Sequence, residues 1–203
     1  LFVGATSAVM VLAAVGVYAV TTYATIQVTN DPLLQRDPAV KGGLVAYTEF
    51  AGGVGDVWVY NLADGTRVLA VNNAASQAVE DIDGSYVVYG DNRNSPGNDI
   101  YAVNLSNMTE SAVVVAPGNQ TEPAVSGNRV VWESSEPDST NVDIVVGCVS
   151  GCTNTQLTTD PSVQFHPAIS GDLVVWDDTR FGNGNGDIFA YWFSTPPSGF
   201  GVP

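Results

Sequence analysis

The chain has 203 residues, 45% of them hydrophobic, which is enough to build the core of one medium domain and excludes a disordered chain. Its 21 acidic side chains against 6 basic ones leave a formal charge of -15, which repels phosphate backbones and excludes nucleic acid as a natural partner. With one histidine, two cysteines and 13% charged residues, the chain has few tools for acid–base or metal chemistry, and no catalytic residue, metal or cofactor is expected.

The first expected element is apolar. From Leu1 to Ala24 the only polar side chains are Thr6, Ser7, Thr21 and Thr22, and the first charge is Asp31. As an α-helix, residues 1–24 reach about 36 Å, enough to cross a hydrocarbon layer of roughly 30 Å. A secretory signal fits poorly, because no basic flank precedes the apolar run. A plain membrane anchor and a helix packed among copies of itself remain. Small residues lie all round the helix among larger aliphatic ones, and such a helix needs close neighbours on every side. On that reading Gly4, Ala8, Val11, Leu12, Val15, Gly16 and Ala19 form the core of a helical filament. The run resembles the N-terminal helix of type IV pilin-like proteins, archaeal ones in particular, whose peptidase leaves such a helix on the mature subunit. Bacterial type IV pilins usually carry Glu at the fifth mature position, where this chain has Ala5.

From Asp37 onward the chain repeats. Gly-x-x-Val-x-aromatic occurs at Gly42/Val45/Tyr47, Gly84/Val87/Tyr89, Gly127/Val130/Trp132 and Gly171/Val174/Trp176, with Gly spacings of 42, 43 and 44. Each copy leads to Asp56-Val57, Asp99-Ile100, Asp143-Ile144 or Asp187-Ile188. A period in the low forties with alternating β-branched and aromatic residues predicts four-stranded propeller blades over about 37–72, 79–116, 122–159 and 166–193. Pro-Ala-Val/Ile before the Gly makes the inner strand in three copies. The last copy runs into Pro196-Pro197 after its third strand, while Thr25-Ile-Gln-Val-Thr29 parallels Thr155-Gln-Leu-Thr158. Residues 25–29 are therefore expected to supply the missing outer strand of blade four and close the ring. The fold class expected is mainly β: a long apolar helix over 1–24, then a closed four-bladed propeller over 25–203.

The Asp-Ile-Tyr third strand at Asp99-Ile-Tyr101 and the Gly/Asn-rich loop before it resemble the TolB-like repeat of the Tol-system periplasmic protein, over residues 37–193. That resemblance implies a propeller. Propellers of this kind usually carry more than four blades and serve both as binding scaffolds and in enzymes.

The polar motifs read mainly as structure. Asp177, Asp178, Asn183, Asn185 and Asp187, like Asp91, Asn92, Asn94, Asn98 and Asp99, form oxygen-rich loops. Neither stretch supplies the terminal bidentate carboxylate of a calcium loop, so turn capping is the better reading. His166 aligns with Asp37 and Glu122, which argues against catalysis, and Glu133, Glu136 and Asp138 are acidic neighbours in an acidic chain. Cys148 and Cys152 bracket a hairpin tip and suit a disulfide in an oxidising compartment. The sequons at Asn104, Asn107 and Asn119 suit a glycosylated outer face.

These features predict a non-enzymatic subunit of an extracellular pilus-like filament. Its partners are copies of itself, with the membrane only before assembly and adhesive contacts to cell surfaces or glycans. The alternative is a membrane-anchored extracytoplasmic propeller that binds a ligand or partner, and the third reading is an anchored hydrolase.

Overall fold

A computed structural model describes residues 24–94, 96–137, 139–182 and 186–194. The filament-core residues Gly4, Ala8, Val11, Leu12, Val15, Gly16 and Ala19 lie outside them. Among the described residues there is no helix, and the fold is four antiparallel sheets in chain order.

The first sheet holds β1 (Leu34–Lys41), β2 (Leu44–Ala51), β3 (Val54–Asn61) and β4 (Arg67–Val71), each beside the next. The second holds β5 (Gln77–Ile82), β6 (Tyr86–Asp91), β7 (Asp99–Asn104) and β8 (Thr109–Val114). In the third, β9 (Asn119–Ser126), β10 (Arg129–Ser135), β11 (Asp143–Cys148) and β12 (Thr155–Gln156) follow the same order. The fourth has three described strands, β13 (Gln164–Ser170), β14 (Leu173–Asp178) and β15 (Asp187–Trp192). The repeat glycines Gly42, Gly127 and Gly171 turn the first strand of their sheets into the second with φ near +60°, a conformation other residues adopt only at a cost.

Period-two alternation gives each sheet two apolar faces, and consecutive sheets bury them against each other. Ala46, Val57 and Val59 of the first sheet meet Val79, Val87, Tyr89 and Tyr101 of the second. On the second sheet's other face, Val88, Ile100 and Ala102 meet Val125, Val130 and Trp132. Val131, Ile144 and Val146 of the third sheet then meet Val174 and Trp176. The repeated aromatic thus faces the preceding sheet in all three interfaces, and the repeated Val/Ile after Asp faces the following one.

Two expectations are overturned. Residues 24–30 contain no strand, so 25–29 do not form the outer strand expected of blade four. The segment on which that expectation was patterned is itself a weak strand, since β12 keeps only Thr155 and Gln156 in its ladder. Nor is the expected closed ring seen. Apolar cores join sheets one to two, two to three and three to four, and among the described residues none joins four to one. Among the described residues, then, the four sheets form an open arc. The sequence period counts the sheets in the chain, whereas the side chains packed between sheets set the angle that decides closure.

Candidate functional site

The inner strands β1, β5, β9 and β13 lie side by side through the arc. Each carries a β-bulge, at Arg36/Ala39, Val79/Asp81, opposite Val131/Glu133 and at Phe165/Ala168. A bulge re-aims the side chain it inserts. The inserted residues are Asp37, Glu80, Glu122 and His166, so each sheet contributes one acidic or imidazole group. Asp37, Glu122 and His166 have φ of 53°, 51° and 52°, and each precedes a proline. A non-glycine residue pays for that left-handed backbone, and such strain concentrates where a side chain has to be held in one direction.

The groups converge electrostatically. Desolvation by the surrounding protein, followed by repulsion from Glu122, Asp37 and Glu133, pushes Glu80 up to about 7 although its side chain still reaches solvent. Glu133 on β10 is also raised, by burial first, although it accepts a hydrogen bond from the His166 backbone N–H at 2.7 Å and another from Thr121 Oγ1 at 3.4 Å. His166 Nδ1 lies 3.0 Å from Asp177 Oδ2, and this bond, with the field of Glu133, Asp177 and Glu122, holds the imidazole above its usual range. Asp37, Glu80, Glu122, Glu133, His166 and Asp177 thus make one acidic surface spanning four sheets.

The sign of these shifts predicts a pH dependence. Between about pH 4.5 and 7 the folded chain keeps a proton on Glu80 that the unfolded chain releases, so stability falls as pH rises through that window. The stability from protonated His166 is likewise lost as pH rises through its elevated pKa. Thermal unfolding is expected to show the domain about 1 kcal/mol more stable at pH 5 than at pH 8, a modest difference because solvent screens the exposed Glu80 and His166 side chains. Glu80→Gln is expected to flatten the profile, and an unchanged slope in that variant contradicts the convergence.

The oxygen-rich loops are turns. Asp91 Oδ1 accepts from the Arg93 N–H at 2.7 Å and Asp178 Oδ1 from the Arg180 N–H at 2.9 Å. The buried Asp91 and Asp178 carboxylates also bind the Arg93 and Arg180 guanidinium groups, which lie 4.0 Å above Tyr101 and 4.2 Å above Phe189. Asn94 bonds Asp99 and Tyr101. Asn183 and Asn185 lie outside the described residues, among which no group of three or more His, Cys, Asp or Glu is placed to hold a metal ion. Asp138 is also outside them, and Glu136 lies past the end of β10, away from the hydrogen bonds of Glu133.

Cys148 and Cys152 form a disulfide at the end of β11. Asn104, half-buried, and Asn107, exposed, stand on the β7–β8 hairpin, and exposed Asn119 begins β9. The side-chain oxygens of Asn104 and Asn107 accept from the N–H groups of Ser106 and Thr109, closing tight local turns.

Two features went unread in the sequence. Glu80 belongs with Asp37, Glu122 and His166, but its copy lacks the Pro-Ala that marks the others. Gln35, Gln77, Gln120 and Gln164 stand near the start of each inner strand, and the last three are fully buried. Gln77 Nε2 donates to Ala75 O at 2.7 Å and to Asp91 Oδ2 at 2.9 Å, pinning the loop to the sheet. The signal available was the recurrence of Gln two or three residues before the acid or histidine.

Successive sheets joined through their faces, with inner strands side by side, define the β-propeller class. Within it, the fold is similar to that of a putative TolB from Agrobacterium tumefaciens, at 20% identity and a TM-score of 0.58, covering 75% of this chain and 58% of that one. TolB from Acinetobacter baumannii is similar at 13% identity and a TM-score of 0.51, covering 81% and 47%. A puromycin-hydrolysing peptidase from Mycobacterium tuberculosis is similar at 15% identity and 0.59, covering 84% and 29%. The chain therefore spans less than two thirds of each of these proteins. No family model matches the chain, and no curated protein matches it in sequence. The likeness establishes a TolB-like propeller fold. It gives no support to a pilus subunit, since the run that suggested one lies outside the described residues and these relatives in fold are propellers.

Proposed function

We propose that this chain is a non-catalytic, extracytoplasmic binding domain of propeller type, and that its inner-strand surface receives a positively charged ligand or partner segment. The observation that carries the reading is the recurrence of an acidic or imidazole group at the bulge of all four inner strands. The Cys148–Cys152 disulfide supports an oxidising compartment, and the TolB-like fold supports a scaffold for binding. Carboxylates crowded enough to repel one another gain most from a cation that relieves the repulsion.

Calorimetric titration with an oligolysine peptide tests this. Binding is expected at low ionic strength, weakening with salt and falling at least tenfold in the Glu122→Gln/Glu133→Gln variant. Absence of binding, or binding that the double variant leaves unchanged, contradicts the proposal.

A further inference from the structure

Two groups on the inner-strand surface are placed to hold protons there. β5 lies between β1 and β9, so Glu80 at its bulge is flanked by the bulge acids Asp37 and Glu122 of the two neighbouring sheets. Desolvation acts on Glu80 first, and then three carboxylates, Glu122 on β9, Asp37 on β1 and Glu133 on β10. An ionised Glu80 therefore meets like charge from both sides, and a proton relieves it. His166, at the bulge of β13, is set to hold a proton by attraction. Its Nδ1 lies 3.0 Å from Asp177 Oδ2 of β14, its backbone N–H donates to Glu133 of β10 at 2.7 Å, and Glu122 of β9 adds to the negative field. A protonated imidazole is thus a cation that this acidic surface supplies for itself.

We infer that the inner-strand surface takes up its cationic ligand in exchange for protons held on Glu80 and His166, so that mild acid releases the ligand. This rests on the binding reading proposed above and adds its regulation. Glu80 ionises when the ligand's positive charge takes the place of its proton among Asp37, Glu122 and Glu133. His166 gives up its proton because the ligand and the imidazolium compete for the field of Asp177, Glu133 and Glu122. Both side chains are exposed, so the protons pass to solvent. Glu80 is pushed up to about 7 and His166 is held above its usual range, which puts both exchanges between about pH 6 and 8. Acid in that window lowers the negative charge of this surface before ordinary carboxylates lose theirs.

Calorimetric titration of the full chain in nonionic detergent with an oligolysine peptide tests it, at low ionic strength and at pH 8, 7 and 5.5. The peptide's ammonium groups titrate near 10.4, so any proton exchanged in this range belongs to the protein. Binding is expected to weaken about tenfold from pH 8 to pH 5.5. At pH 7, where Glu80 is near its midpoint, paired titrations in two buffers of unlike ionisation enthalpy are expected to show at least about half a proton released per peptide bound. Glu80→Gln and His166→Asn are each expected to lower that release, and the double variant to remove most of it. Glutamine copies the protonated acid and asparagine accepts the left-handed backbone at position 166, so both variants keep the fold, checked by their unfolding curves. Equal binding at pH 8 and 5.5, binding without proton release, or a release that both variants leave unchanged overturns the inference and leaves the binding reading standing. No binding at pH 8 overturns both.

Discussion

Ile144→Ala is expected to cost about 2–5 kcal/mol of stability, while Ile188→Ala, the same change at the same repeat position, costs under about 0.5 kcal/mol. Ile144 is fully buried against Val174 and Trp176 of the next sheet, so truncation removes transfer energy and leaves a cavity that the flanking sheets cannot easily fill. Ile188 has no following sheet among the described residues. Ile100→Ala, with its side chain between the second and third sheets, is expected to behave like Ile144→Ala. Urea unfolding at low micromolar concentration, followed by tryptophan fluorescence, measures all three under conditions where association is negligible. Equal losses at Ile144 and Ile188 contradict an open arc.

The second large effect is at Gly118, just before β9. Its φ is +88°, and a methyl group there falls 1.8 Å from the Ser135 carbonyl oxygen, which is backbone that cannot rotate away. Gly118→Ala is expected to destabilise by on the order of 3–5 kcal/mol, because left-handed strain and displacement of β10's end add together. Gly127→Ala is the control: its φ is +60° with no atom within 4 Å of the added carbon, so only the backbone term of roughly 1–2 kcal/mol applies. The difference in urea midpoints reads the steric part alone, and matching midpoints contradict the close approach of Gly118 to Ser135.

Much of the fold was legible because each sheet repeats its chemistry in sequence. The Gly turn, the Val-x-aromatic strand and the Asp-Val/Ile strand fall where the period placed them, and the oxygen-rich loops close as turns on Asp91 and Asp178. Ring closure was not legible. It depends on the angle between sheets, and the likeness of residues 25–29 to a two-residue strand could not carry a ladder. The acidic surface was half legible. Alignment put His166 with Asp37 and Glu122, but their meaning lies in bulges that turn them to one side, and a bulge appears in sequence only as a shifted pattern. Glu80 escaped because its bulge inserts one residue without a proline to mark it. The apolar run at the start dominated the functional expectation, although the described residues carry the testable chemistry.

The meeting of the inner strands is tested most directly by the titration of His166, whose solitary imidazole gives an unambiguous NMR signal. Its pKa is expected above the ordinary value near 6.5. Asp177→Asn should lower it most, and Glu133→Gln and Glu122→Gln, changes in the neighbouring sheet, should each lower it further from the native value toward the ordinary one. An imidazole that titrates at its ordinary pKa and ignores both glutamate substitutions would contradict the account.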